Sequence, residues 1–166
     1  IDDGSYLLIE HIELADGQQT LDLGCGYGAI GVAIAKACPG GTVHMVDKDF
    51  VAVDYARKNA ELNGLANCTV QLSNAFSAVP GDRKFDNIVA NLPAKVGREL
   101  LYIILSDARD HLKPGGQLVV VTISGLKDFI KNNFKEVFGN YEKLKQGRDY
   151  TVARAVKQQT VQAGGT

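Results

Sequence analysis

No apolar run in this chain approaches the roughly 20 residues that a helix needs to cross a bilayer. Its start also lacks the basic-then-apolar pattern of a secretion signal, which points to a cytoplasmic protein with no membrane partner. Cysteine is scarce: Cys25, Cys38 and Cys68 are odd in number and match no metal-ligand spacing, so reduced thiols and no bound metal are expected. His11, His44 and His111 lie too far apart in sequence for a ligand cluster or a triad, and read as structural or surface residues. A net charge of −1 argues against a strong electrostatic footprint for nucleic acid. No initiator methionine opens the chain, so an N-terminal portion of the natural protein is expected to be missing.

What is present suits one globular domain. The 166 residues are 45% hydrophobic and 22% charged, enough apolar material for a real core. Charge is unevenly spread. Residues 1–80 hold four basic and ten acidic side chains, a net of −6, and residues 81–166 hold 14 basic and nine acidic ones, a net of +5. The basic half permits a phosphate-bearing substrate, although alternating surface charge for solubility explains it equally well.

Periodicity gives strands alternating with helices. A helix is expected over residues 5–14, then a strand over 20–23 with its helix over 28–38. A strand over 42–46 precedes a helix over 50–63. Further strands follow at 68–72 and 85–90, a helix at 98–112 stopped by Lys113-Pro-Gly-Gly, a strand at 117–122 and a helix at 126–134. The end differs: residues 136–144 and 150–156 read as two directly joined, antiparallel strands. The fold class expected is α/β, a Rossmann-like three-layer α/β/α arrangement. Its seven-stranded sheet is mostly parallel, with an antiparallel C-terminal hairpin strand. No internal repeat or second domain is visible; residues 1–157 are taken as one domain and 158–166 as a mobile tail.

Chemistry concentrates in Asp22-Leu-Gly-Cys-Gly-Tyr-Gly28, where an acid ends an apolar strand as closely spaced glycines begin and a helix follows. Glycines remove side chains where a ligand approaches the backbone, and the helix start offers unpaired N–H groups. In a parallel sheet the carboxyl ends of the strands share one rim, so Asp22, Asp47, Asn74 and Asn91-Leu-Pro93 should line it together. Asp47 stands where an acid grips ribose hydroxyls, or caps the next helix. Asn74 either reaches an adenine edge or makes a turn. Cys25 reads as a small side chain beside a ligand rather than a nucleophile.

Gly26-Tyr-Gly28-Ala-Ile-Gly31 also matches the dinucleotide fingerprint G-x-G-x-x-G, which keeps a nicotinamide-dependent oxidoreductase open. Against it stand Asp22, whose carboxylate repels a diphosphate and attracts an ammonium group, the lack of a second domain, and the terminal hairpin.

Asp22-x-Gly-x-Gly-x-Gly28, Asp47, Asn91-x-Pro93, Leu112-Lys-Pro-Gly-Gly and the terminal hairpin together resemble a class I S-adenosylmethionine-dependent methyltransferase, over residues 3–157. Within that superfamily the chain is most similar to the small methyltransferase domain branch that includes ribosomal RNA guanine-N2 methyltransferases. The resemblance implies S-adenosyl-L-methionine as cofactor, with Gly24, Gly26 and Gly28 under its methionine part. It also implies Asp22 at the ammonium end, Asp47 on the ribose, and Asn74 with Ala75 beside the adenine. Cys25, Lys48 and Asn91 join the same cofactor set. Asn91, Leu92 and Pro93 would face the acceptor.

One departure matters. Amino-methylating relatives carry Asn-Pro-Pro and then a bulky residue, whereas this chain has Asn91-Leu-Pro-Ala94. The Asn91 amide and the Leu92 carbonyl can still accept protons from an amino group, but Ala94 cannot stack on a flipped base, a contact worth roughly 1–3 kcal/mol. The expected activity is N-methylation of a guanine amino group in ribosomal RNA, with RNA as partner. The alternatives are methylation of a protein amide or small molecule, and an inactive cofactor-binding module.

Overall fold

The computed structural model describes residues 2–159. Helix α1 (Asp3–His11) is followed by β1 (Gln19–Leu23), α2 (Ala29–Ala37), β2 (Thr42–Asp47), α3 (Phe50–Leu62) and β3 (Cys68–Leu72). Then come β4 (Phe85–Asn91), α4 (Arg98–Asp110), β5 (Leu112–Ile123), α5 (Lys127–Phe138), β6 (Glu142–Gln146) and β7 (Tyr150–Val156).

The strands form one sheet in the order β3-β2-β1-β4-β5-β7-β6. Pairs from β3 through β5 are parallel; β7 runs antiparallel to both β5 and β6. Within the expected C-terminal hairpin, β7 is inserted beside β5 and β6 takes the edge. Alternation along the strands divides the core in two. Leu21, Leu23, Ile88, Val120 and Phe134 lie in one cluster, and Met45, Val89, Val121, Ile34 and Leu8 in the other.

Three boundaries differ from the sequence reading. Helix α1 starts earlier, at Asp3, because Asp2 caps it by accepting the Ser5 N–H at 2.7 Å. Helix α4 stops at Asp110, and Lys113-Pro-Gly-Gly belongs to β5, where the register to β4 shifts between Phe85 and Asn87. Residues 136–138 are helical rather than strand. Ile130, Phe134, Val137 and Phe138 bury one face of α5, which ends at Gly139 with φ +76°. Of the expected tail, residues 160–166 lie outside the described residues. No helix among the described residues is long and apolar enough to cross a membrane.

Candidate active site

Beyond β1 the chain passes through Gly24, Gly26 and Gly28 with φ of +67°, +54° and +90°, a region that strains any side chain. A Cβ on Gly24 or Gly26 would project into open space, so the loop presents bare backbone at the rim. Four hydrogen bonds fix it. Cys25 N–H donates to Val46 O at 2.9 Å and Gly28 N–H to Cys25 O at 2.9 Å. Gly26 N–H donates to Asp47 Oδ2 at 3.0 Å, and Asn59 Nδ2 to Tyr27 O at 2.7 Å. Gly31, third in the dinucleotide-like spacing, serves packing instead: a Cβ there would come within 2.5 Å of Met45 Sδ. It brings α2 down onto β2.

Asp22 lies beneath this loop, 1% exposed, with Oδ2 accepting the Gly31 N–H at 2.9 Å. Burial raises its carboxyl to about 7, against the lowering effect of that N–H, and the Asp47 charge adds to the rise. The Cys25 side chain turns into the core, and burial, then the charges of Asp22 and Asp47, push its thiol far above neutrality. It stays protonated and is no nucleophile.

The capping role open for Asp47 falls to its neighbour. Asp49 caps α3, accepting the Val51 N–H at 2.9 Å. Asp47 instead accepts from Gly26 N–H and, at 2.8 Å, from Asp49 N–H, binding the end of β2 to the glycine loop. Its carbonyl accepts the Ser73 N–H at 2.8 Å, which draws in the end of β3. There Asn74 is exposed and Ala75 holds a left-handed φ of +50°, its carbonyl accepting the Ser73 hydroxyl at 2.6 Å. A non-glycine residue in that region is costly and marks a place worth attention. Lys48 is exposed beyond Asp47.

Register sets the width of the site. Leu23 pairs with both Val46 and Ala90, so the next residues, Asp47, Gly24 and Asn91, stand at one level on three adjacent strands. Two strand spacings, roughly 10 Å, separate Asp47 from Asn91. Asn91 is half-buried, and its Nδ2 donates to Ser5 Oγ at 3.1 Å and Asp2 Oδ1 at 3.2 Å. Leu92 N–H donates to Val121 O at 3.0 Å, its side chain fills the core, and its carbonyl accepts no hydrogen bond among the described residues. Pro93 and Ala94 are exposed. The sequence reading missed Asp2 and Ser5, although Asp-x-x-Ser before a helix is a capping signal.

A cavity of about 560 Å³ lies at the opposite end of the sheet, lined by Asp86, Asn87, Gln117 and Arg154 among others. Its polar groups satisfy one another: Arg154 pairs with Glu13 and Glu142, and Asn87 with Gln18, Thr20 and Gln117. Among the described residues no group of His, Cys, Asp and Glu is arranged to hold a metal ion.

The family described as "Methyltransferase small domain" matches residues 1–154. The chain belongs to that family. It is 32% identical to the uncharacterized protein YbxB of Bacillus subtilis, over 95% of this chain and 79% of that protein. It is 33% identical to the ribosomal RNA large subunit methyltransferase G of Pectobacterium atrosepticum, over 95% of this chain but 42% of that protein. Among solved structures it matches the T. thermophilus 16S rRNA N2 G1207 methyltransferase (RsmC) in complex with AdoMet and guanosine. The TM-score is 0.85 at 32% identity, covering 95% of this chain and 44% of that one. This methyltransferase small domain thus spans less than half the length of the named ribosomal RNA enzymes.

Proposed function

We propose that this chain is an S-adenosylmethionine-dependent methyltransferase that methylates the 2-amino group of a guanine in ribosomal RNA. The observation that carries the reading is the shared level of Asp47, Gly24 and Asn91, which sets a bare glycine loop beside an amide. The likeness to ribosomal RNA enzymes, one of them holding AdoMet and guanosine, supports the acceptor.

The residues fit the cofactor. The open space before Gly24 and Gly26 admits its backbone-hugging methionine part. Asp22 is a buried acid with no cationic partner among the described residues, and favours an ammonium group from beneath the loop. Asp47 meets the ribose hydroxyls, with Lys48 flanking it, and Asn74 and Ala75 border the adenine. Bound there, S-adenosylmethionine supplies an electrophilic methyl group on a sulfonium.

An exocyclic amine conjugated to a base is a weak nucleophile. Asn91 Oδ1 and the Leu92 carbonyl would accept hydrogen bonds from its two N–H groups and turn the nitrogen lone pair toward the methyl group. As the new N–C bond formed the S–C bond would break, leaving the thioether, and the surplus proton would pass to water. Alignment, not a strong base, supplies the rate. Pro93 stiffens the turn that carries both acceptors. An acceptor in ribosomal RNA also places the enzyme in the cytoplasm, in keeping with three free cysteines.

The test is transfer from methyl-labelled S-adenosylmethionine with ribosomal subunits, free RNA, protein extract and small metabolites supplied in parallel. Label should enter RNA. Label confined to protein or metabolites would overturn the acceptor, and calorimetry in which NAD outbinds S-adenosylmethionine would overturn the cofactor.

A further inference from the structure

Asn91 is held by a part of the chain far from it in sequence. Its Nδ2 donates to Ser5 Oγ at 3.1 Å and to Asp2 Oδ1 at 3.2 Å, with Asp2 Oδ2 at 3.4 Å. A primary amide has two N–H donors, and both find acceptors here. The Ser5 hydroxyl donates to Asp2 Oδ2 at 3.3 Å, so the three side chains close a ring.

Turning the amide over would set its oxygen against the Asp2 carboxylate and leave the ring without its donors. One orientation is therefore favoured, with Oδ1 directed away from α1. The holders are themselves fixed. Asp2 caps α1 through the Ser5 N–H, and Ser5 is 5% exposed. At Gly4, between them, a Cβ would stand 3.0 Å from the Tyr150 ring, so the first turn of α1 is seated closely on β7.

We propose that Asp2 and Ser5 are positioning residues for methyl transfer, holding the Asn91 amide so that its oxygen meets the acceptor nitrogen. The inference rests on the reading of Asn91 given above. It assigns α1 a part in the reaction: the helix start that caps itself also orients the group that aims the acceptor. Orientation is the effect at work, because Asp2 is exposed and its charge is screened by solvent.

Two measurements test it. In single-turnover transfer to ribosomal RNA at saturating S-adenosylmethionine, Asp2→Ala and Ser5→Ala should each slow the reaction about tenfold, with cofactor affinity unchanged. Asp2→Asn, which keeps the cap and an acceptor, should recover most of the rate. Introduced into Asn91→Ala, Asp2→Ala should cost nothing further, because the residue through which it acts is gone. A full rate for Asp2→Ala, or an undiminished further loss on the Asn91→Ala background, overturns the positioning role.

The second measurement needs no acceptor. In ¹⁵N-labelled protein the Asn91 side-chain amide, assigned by its loss in Asn91→Ala, should resist hydrogen exchange and lose that protection in Asp2→Ala. An amide that exchanges freely in the parent overturns the arrangement. A parent that transfers methyl to no RNA, while its Asn91 amide remains protected, overturns the catalytic reading and not the geometry.

Discussion

Asp22 is a carboxyl group that folding works against, since burial lifts it from 3.8 to about 7. The folded state favours the protonated form, so the contribution of Asp22 to stability is complete below about pH 4 and falls as pH rises through 7. Asp22→Asn keeps an acceptor for the Gly31 N–H and removes the titration. That variant should be more stable than the parent at pH 8 by up to about 4 kcal/mol, a gap that closes near pH 4. Urea unfolding at the two pH values measures it; an equal gap at both would mean that Asp22 does not titrate there. The same variant should bind S-adenosylmethionine more weakly, since a charge opposed by folding is retained for the ligand. The neighbouring acids separate differently. Asp47→Ala should weaken cofactor binding by roughly 1–3 kcal/mol. Asp49→Ala should cost about 0.5–2 kcal/mol of stability and leave affinity per folded molecule intact. Calorimetric titration and thermal unfolding of both variants check the division, and affinity loss in Asp49→Ala alone would reverse it.

Among the elements, the turn from β1 to α2 bears most of the proposed binding. Gly26→Val should abolish S-adenosylmethionine binding, because Gly26 holds φ +54° and its missing side chain leaves the space a ligand would enter. Undiminished affinity in calorimetry, with the fold intact by circular dichroism, would reduce the loop to a turn. This element was legible in the sequence because a buried strand closing on an acid and three glycines is a local pattern. So were the other strand ends, where apolar runs stop at Asp47 and Asn91. What local pattern concealed has two physical sources. Val137 and Phe138 are residue types that favour strands, yet with Ile130 and Phe134 they repeat at helical spacing and bury one face of α5. The hold on Asn91 comes from Asp2, 89 residues away, and only the packing of α1 against β5 and β7 brings the two together.

For the whole molecule, strand order joins the two halves of the chain at one place in the sheet. Residues 1–80, at −6, supply β1, β2 and β3; residues 81–166, at +5, supply β4 through β7. The division falls between β1 and β4, but α1, with Asp2, Asp3 and Glu10, packs back on β5 and β7 and offsets the positive charge there. Asn91 stands at that division, on the first strand of the second half, with the acidic start of α1 beside it. Incubation of ribosomal RNA with this chain and S-adenosylmethionine, followed by digestion and mass spectrometry of the nucleosides, measures the proposed chemistry directly. N2-methylguanosine should accumulate with the parent and form roughly 10²-fold more slowly with Asn91→Ala, whose cofactor affinity is preserved. Methylation that appears only at another atom, or an Asn91→Ala variant as fast as the parent, would contradict it.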